Sequence, residues 1–171
     1  LPSGPWRGRS VFVTGGNGLL GSHLVKALLA EGAKVTCLLK EKRLSCFSLD
    51  GLEKSVACVN GTLEDFDLLC GVLRANRVDT IFHLAAQPII GEVRARPLPA
   101  LETNVRGTYH VLEAARRWGK LRSCVIVSSD KVYGTANMLP YMETDHLAGI
   151  DLYDASKVCT DVLSRSYAFC Y

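Results

Sequence analysis

Short runs of β-branched and other apolar residues alternate along the chain with stretches in which apolar residues recur every three or four positions. Val11 to Thr14 is the first run; it feeds a glycine cluster, after which Leu20, Leu24, Ala27 and Leu28 fall at helical spacing until Gly32. Lys34 to Leu39 predicts a second strand, Ser55 to Val59 a third, Asp79 to Leu84 a fourth and Ser123 to Ser129 a fifth. Between them, Glu64 to Arg77 repeats apolar residues at Leu68, Leu69, Val72 and Leu73, Leu101 to Trp118 predicts a long helix, and a last helical pattern starts at Asp154. Lys40 to Asp50 reads as polar and irregular, Pro88, Pro97 and Pro99 mark a loop, and Gly134, Pro140 and Gly149 mark another. Strands alternating with helices of about ten residues or more make βαβ units, hence a parallel sheet covered on both faces. Right-handed crossovers leave a doubly wound, Rossmann-type α/β fold with strand order 3-2-1-4-5 as the simplest arrangement, with function at the carboxyl ends of the strands.

Composition narrows the class. The chain has 171 residues, 48% of them apolar and 22% charged, enough for one domain with a sizeable core. A net charge of +3 and dispersed basic residues argue against nucleic acid; Arg116, Arg117, Lys120 and Arg122 read as the polar end of a helix and its turn. No uncharged apolar run approaches the ~20 residues of a membrane span, and Leu1 to Ser10 lacks the apolar stretch of a signal peptide. Seven scattered cysteines without a CxxC pair suit buried or inert thiols in a reducing compartment, so the cytoplasm is the expected location. No His/Cys/Asp cluster has metal-ligand spacing. His83 is expected to complete strand packing, His23 and His110 to serve packing or the surface, and His146 lies in a loop without an evident partner.

Thr14-Gly15-Gly16-Asn17-Gly18-Leu19-Leu20-Gly21 lies between the first strand and the first helix. There a glycine-rich turn lets the backbone approach a pyrophosphate, whose charge the helix N-terminus stabilises. With Gly15, Gly18 and Gly21 preceded by Thr14, the segment has the form TGxxGxxG and resembles the extended short-chain dehydrogenase/reductase family. His83-Leu84-Ala85-Ala86-Gln87 resembles that family's HLAA segment, and Asn104 its helix asparagine. The resemblance implies an NAD(P)-binding domain over residues 1–171. It places cofactor contacts at Thr14, Gly15, Gly18, Leu19, Leu20 and Gly21, at Lys40, at Thr62 and Leu63, at Leu84, Ala85 and Ala86, at Asn104, and at Tyr153 and Lys157.

Two positions depart from the NAD pattern. An acidic residue about 20 positions past the glycines would hold the ribose 2′-hydroxyl, whereas the second strand ends Leu39-Lys40-Glu41-Lys42-Arg43. Basic residues there suit the 2′-phosphate of NADP and Glu41 leaves NAD open. After the third strand, Thr62 stands where the family commonly has Asp, with Glu64 and Asp65 nearby.

At the reactive end, Tyr153 and Lys157 are spaced to share one helix face, and the fifth strand ends Ser128-Ser129-Asp130-Lys131. An unperturbed tyrosine with a pKa of ~10 is a poor base near neutrality; the Lys157 ammonium favours the phenolate, and Ser129 would orient the same substrate oxygen. Ser129-Asp130-Lys131-Val132-Tyr133 resembles the nucleotide-sugar 4,6-dehydratases, CDP-glucose branch, as do Trp6-Arg7-Gly8-Arg9 and Thr103 to Thr108. Gly16 and Asn17 to Leu20 depart from that branch. The resemblance implies Asp130 as the acid for the departing C6 hydroxyl, which requires partial burial, and Lys131 as the C5 base, which requires a neutral amine. The nucleotide-diphosphate sugar is the implied substrate, and a 4-epimerase or reductase of the same family is the rival enzyme. A truncated, non-catalytic dinucleotide-binding module is the non-enzyme alternative. The chain starts without Met and stops inside the helix carrying Lys157, so the expectation is an interrupted protein whose C-terminal substrate lobe is missing. In this family the two long helices usually form a homodimer interface, which Val111, Val158, Val162 and Leu163 fit.

Overall fold

The computed structural model describes residues 4–41, 45–135 and 139–171. Among them, β1 (Ser10–Thr14), β2 (Lys34–Leu39), β3 (Ala57–Asn60), β4 (Thr80–His83) and β5 (Ser123–Ile126) form one parallel sheet ordered β3-β2-β1-β4-β5, as the alternating pattern predicts. Thr14 pairs with His83, and His83 with Ile126, so β1, β4 and β5 end on one line. Strand order reverses between β1 and β4, which opens the crevice where such sheets bind ligands.

Alternation along the strands feeds two cores. Val11, Val13, Val35 and Cys37 pack with Val25 and Leu28 of α1 (Leu19–Ala30) and Phe47 of α2 (Cys46–Leu49) on one face. Phe12, Leu38 and Ile81 pack on the other with Leu69 and Leu73 of α3 (Phe66–Ala75) and with Val111 from a later helix. The buried face of α1 is Gly21, Ser22, Val25 and Leu28, so the expected stripe is rotated: Leu20 is 60% exposed and Ala27 is exposed. The helix lies so close to the glycine turn that the buried side of its start is taken by the small residues Gly21 and Ser22.

The proline-marked loop is instead two short helices, α4 (Ile90–Ala95) and α5 (Pro97–Leu101). Pro97 occupies the first helical position, where a missing N–H costs nothing, and Val93 and Ala100 anchor the pair in the interior. The long helix is compound: a π-helical segment, Glu102–Arg106, joins α5 to α6 (Gly107–Trp118), which ends at Gly119 with φ +62°. Helix α7 runs over Leu152–Cys170, and Asp151 caps it by accepting from the Tyr153 N–H.

Arg116 and Arg117 both pair with Glu113 and Lys120 lies over the Trp118 ring, as a helix end should. Val111 is buried in the chain's own core, so it is not open to a partner; Val158 and Leu163 are half-buried and Val162 is exposed. Of the seven free cysteines Cys37 is fully buried, its thiol pushed up to about 12 by burial. Cys46, Cys58, Cys124, Cys159 and Cys170 are exposed, so of the expected buried or inert thiols burial holds for Cys37 and not for these five. No described helix is long and apolar enough to cross a membrane.

Candidate functional site

The glycine turn is built by exclusion. Gly15 has φ +72°, and a Cβ there would stand 2.8 Å from the Ala85 nitrogen, so only glycine lets the turn press against the segment leaving β4. A Cβ at Gly21 would overlap the Gly15 carbonyl oxygen, which makes Gly21 the contact that seats α1 on the turn. Gly18 caps the helix in extended conformation and no acidic residue stands in the first turn. The α1 N-terminus therefore offers backbone N–H groups to an anion without a competing carboxylate.

A cleft of about 650 Å³ runs from this turn across the carboxyl edge of the sheet, within the size range of ligand sites. Of the expected cofactor residues, Gly15, Lys40, Thr62, Leu63, Ala85 and Ala86 line it. Leu19 and Leu20 do not: they are exposed at the start of α1. Thr14 and Asn104 stand behind the wall, 0% and 2% exposed. The basic residues Lys42 and Arg43, proposed partners of a 2′-phosphate, lie outside the described residues. Glu92, Arg96 and Thr103 also line the cleft, three residues not among the expected cofactor contacts. Pro97 at a helix start is a local signal near them, and it points to α5.

Asn104 is a clamp. Its Oδ1 accepts the Gln87 N–H at 2.7 Å, and its Nδ2 donates to the Gln87 carbonyl at 3.2 Å and to Ser156 Oγ at 3.0 Å. One buried amide thus fastens the segment after β4 to α7, with both N–H donors engaged inside the chain. Glu64, in the cleft wall, has its carboxyl held low, where burial is outweighed by hydrogen bonds from Thr62 and its own backbone and by the Lys40 and Arg106 charges.

The reactive residues gather at the end of β5. Lys157 is buried, and its Nζ donates to the Val127 carbonyl at 2.6 Å; burial lowers its pKa from 10.5 to about 8. That contact holds one face of α7 two residues from Ser129. Tyr153 is half-buried one turn earlier. Ser129 Oγ donates to Asp130 Oδ1 at 3.1 Å and accepts the Lys131 N–H at 3.2 Å, so a single turn orders all three. Asp130 and Lys131 are exposed, and the partial burial expected of Asp130 is not supplied by the described residues. Beside them Ser128 Oγ and Asp154 Oδ1 are buried without a hydrogen-bond partner among the described residues.

The family model described as GDP-mannose 4,6 dehydratase matches residues 12–171. The CDP-glucose 4,6-dehydratase of Salmonella typhimurium is 31% identical over 165 residues, 95% of this chain and 46% of that protein. The UDP-glucose 4-epimerase of Erwinia amylovora is 34% identical over 164 residues, 93% of this chain and 48% of that protein. Among solved structures, the dTDP-glucose 4,6-dehydratase DesIV of Streptomyces venezuelae, with NAD and TYD bound, superposes with a TM-score of 0.85 at 32% identity. It is covered to 52% by 95% of this chain. The UDP-glucose 4-epimerase of Thermotoga maritima with UDP-glucose gives a TM-score of 0.86 at 25% identity, covering 95% and 52%. The chain spans about half the length of the relatives it matches.

Proposed function

The chain belongs to the epimerase/dehydratase branch of the extended short-chain dehydrogenase/reductase family, and from that membership we propose that it serves a nucleotide-sugar 4,6-dehydratase acting through bound NAD. The single observation that carries the dehydratase reading is the turn at the end of β5, where one hydroxyl, Ser129 Oγ, meets the Asp130 carboxylate and the Lys131 backbone N–H and so sets an acid and an amine side by side. A simple epimerase or reductase has no use for that acid and amine.

The residues fit a nicotinamide dinucleotide. The acid-free α1 N-terminus and the Gly15 backbone suit its pyrophosphate, and Lys40, Thr62 and Ala85 line the adjoining wall. When bound, the dinucleotide supplies an acceptor for hydride from sugar C4 that is returned at C6, so no second substrate is consumed. The chain's own residues do the proton work. Tyr153 takes the C4 hydroxyl proton, helped by Lys157, whose buried ammonium favours the phenolate. Ser129 holds the same oxygen in place. Once C4 is a ketone, Lys131 removes the acidified C5 proton and Asp130 protonates the departing C6 hydroxyl. Reliance on NAD is supported by solved relatives that carry NAD; Lys40 in the cleft keeps NADP as the competitor in a binding measurement. A homodimer through α6 and α7 is supported by exposed Tyr109 and Val162.

A 4-epimerase is the second reading, favoured by the epimerase relatives at comparable identity. Incubation of the chain with NAD and CDP-, GDP-, UDP- or dTDP-hexose, followed by product analysis, separates them. The expected product is a 4-keto-6-deoxy sugar; a C4 epimer as sole product overturns the dehydratase assignment. Tyr153→Phe should lower turnover by about 10²–10⁴ with NAD affinity retained, and a variant keeping more than a few per cent of activity removes Tyr153 from the proton step.

A further inference from the structure

His83 ends β4 in the middle of the sheet, 3% exposed, and both ring nitrogens have partners. Thr14 Oγ1 lies 2.7 Å from Nδ1 and Thr108 Oγ1 3.1 Å from Nε2. The proton positions follow from the neighbours. Thr108 Oγ1 is 2.6 Å from the Asn104 carbonyl oxygen, and a carbonyl has no hydrogen to give. The Thr108 hydroxyl hydrogen is therefore spent on Asn104, and its oxygen must accept from His83 Nε2–H. On the other side Thr14 Oγ1 accepts the Ala85 N–H at 3.2 Å and sends its own hydrogen to Nδ1. The chain of donors runs one way: Ala85 to Thr14 to His83 to Thr108 to Asn104.

A second connection leaves the His83 backbone. Its carbonyl accepts the Val127 N–H at 3.0 Å, and the Val127 carbonyl holds the Lys157 ammonium. Protonation of the ring would set Nδ1–H against the Thr14 hydroxyl hydrogen and add a positive charge to the buried wall that already contains Lys157. Burial first, and the Lys157 charge second, hold the imidazole pKa down at about 3.

We propose that His83 is a positioning residue, a neutral imidazole protonated at Nε2, whose two directed hydrogen bonds tie the cleft wall at Ala85 to the Asn104 turn that packs on the Tyr153–Lys157 helix. A neutral imidazole suits the position because one ring nitrogen accepts while the other, fixed on the opposite side of the same rigid ring, donates. Its bearing on catalysis rests on the dehydratase reading above; the hydrogen-bond lock does not. An imidazole in this role also explains why a polar residue sits in the strand where packing alone would favour an apolar one.

Two measurements on the chain test it. Nitrogen-15 NMR of histidine-labelled protein reads the tautomer directly: His83 should be Nε2-protonated and stay neutral from pH 8 down to about 5. An Nδ1-protonated ring, or a titration near the ordinary imidazole pKa of about 6.5, overturns the proposal. Amide exchange at Ala85 reads the transmission of the lock. Thr108→Val, which removes the far acceptor on α6, should speed Ala85 exchange by about tenfold relative to the global opening rate. Thr108→Ser, which restores only the hydroxyl, should bring it back. Unchanged exchange in Thr108→Val, or failure of Thr108→Ser to rescue it, reduces His83 to packing. Neither measurement needs cofactor or turnover, so a chain that binds no dinucleotide sinks the functional reading and not this one.

Discussion

The two halves of the carboxyl edge of the sheet are built differently. Around the glycine turn, between β1 and β4, position is set by backbone and burial: Gly15 and Gly21 exclude side chains, Thr14 and His83 are sealed in, and polar atoms pair in sequence from Ala85 to Asn104. At the end of β5 the strand is an edge exposed over Ser123–Val125, Asp130 and Lys131 stand in solvent, and buried Ser128 Oγ and Asp154 Oδ1 have no hydrogen-bond partner among the described residues. Lys157, buried and bonded to Val127, joins the two regions, because the Val127 N–H in turn bonds the His83 carbonyl. The cofactor side is thus closed by its own contacts, whereas among the described residues the reactive side presents Asp130 and Lys131 to solvent.

That contrast is testable through stability. Replacing Gly21 by Val forces a branched side chain into the Gly15 carbonyl, and the expected cost is about 3 kcal/mol with loss of dinucleotide binding, measured by urea denaturation and by titration. A loss under about 1 kcal/mol would mean the turn is adjustable and the contrast false.

Acid should act next, and through the closed side. The unfolded imidazole takes up a proton near pH 6.5 and the folded His83 only near 3. Between those values the unfolded chain binds more protons, so stability present above pH 6.5 is lost as the pH falls, by a few kcal/mol in all. The urea midpoint followed from pH 7 to pH 4 should fall, and His83→Gln should flatten the fall; an equal slope in both places the acid sensitivity elsewhere.

The smallest change in stability belongs to the exposed side. Lys131→Ala should shift unfolding by no more than about 0.5 kcal/mol, yet leave dehydration stalled with a 4-keto-hexose detectable by mass spectrometry. A shift above about 1 kcal/mol would show that Lys131 is a structural support, and normal dehydration would remove it from the chemistry.

Much of this was legible in the residue pattern because it is local. The five strands and their order follow from runs of Val, Ile, Leu and Cys separated by helical periods, and boundaries moved by only a few residues. Short elements escaped: α2, α4 and α5 span six residues or fewer, too few for a period to show, and they are held by single buried anchors such as Phe47, Val93 and Ala100. Among the expected site residues, Gly15, Lys40, Thr62 and Ala85 line the cleft, Leu19 and Leu20 are exposed at the start of α1 outside its lining, and Asn104 is bonded to Gln87 and Ser156.

The sequence by itself determined the fold class, the glycine turn and the spacing that puts Tyr153 and Lys157 on one helix face, because each depends on residues within a turn or two of one another. Only the tertiary structure decided which atoms those residues meet. It spent Asn104 on Gln87 and Ser156, fixed the His83 proton on Nε2, and lowered the Lys157 pKa. It also left Asp130 and Lys131 in water. Those outcomes depend on contacts between residues far apart in the chain and on how much water each contact excludes, and neither is written in local periodicity.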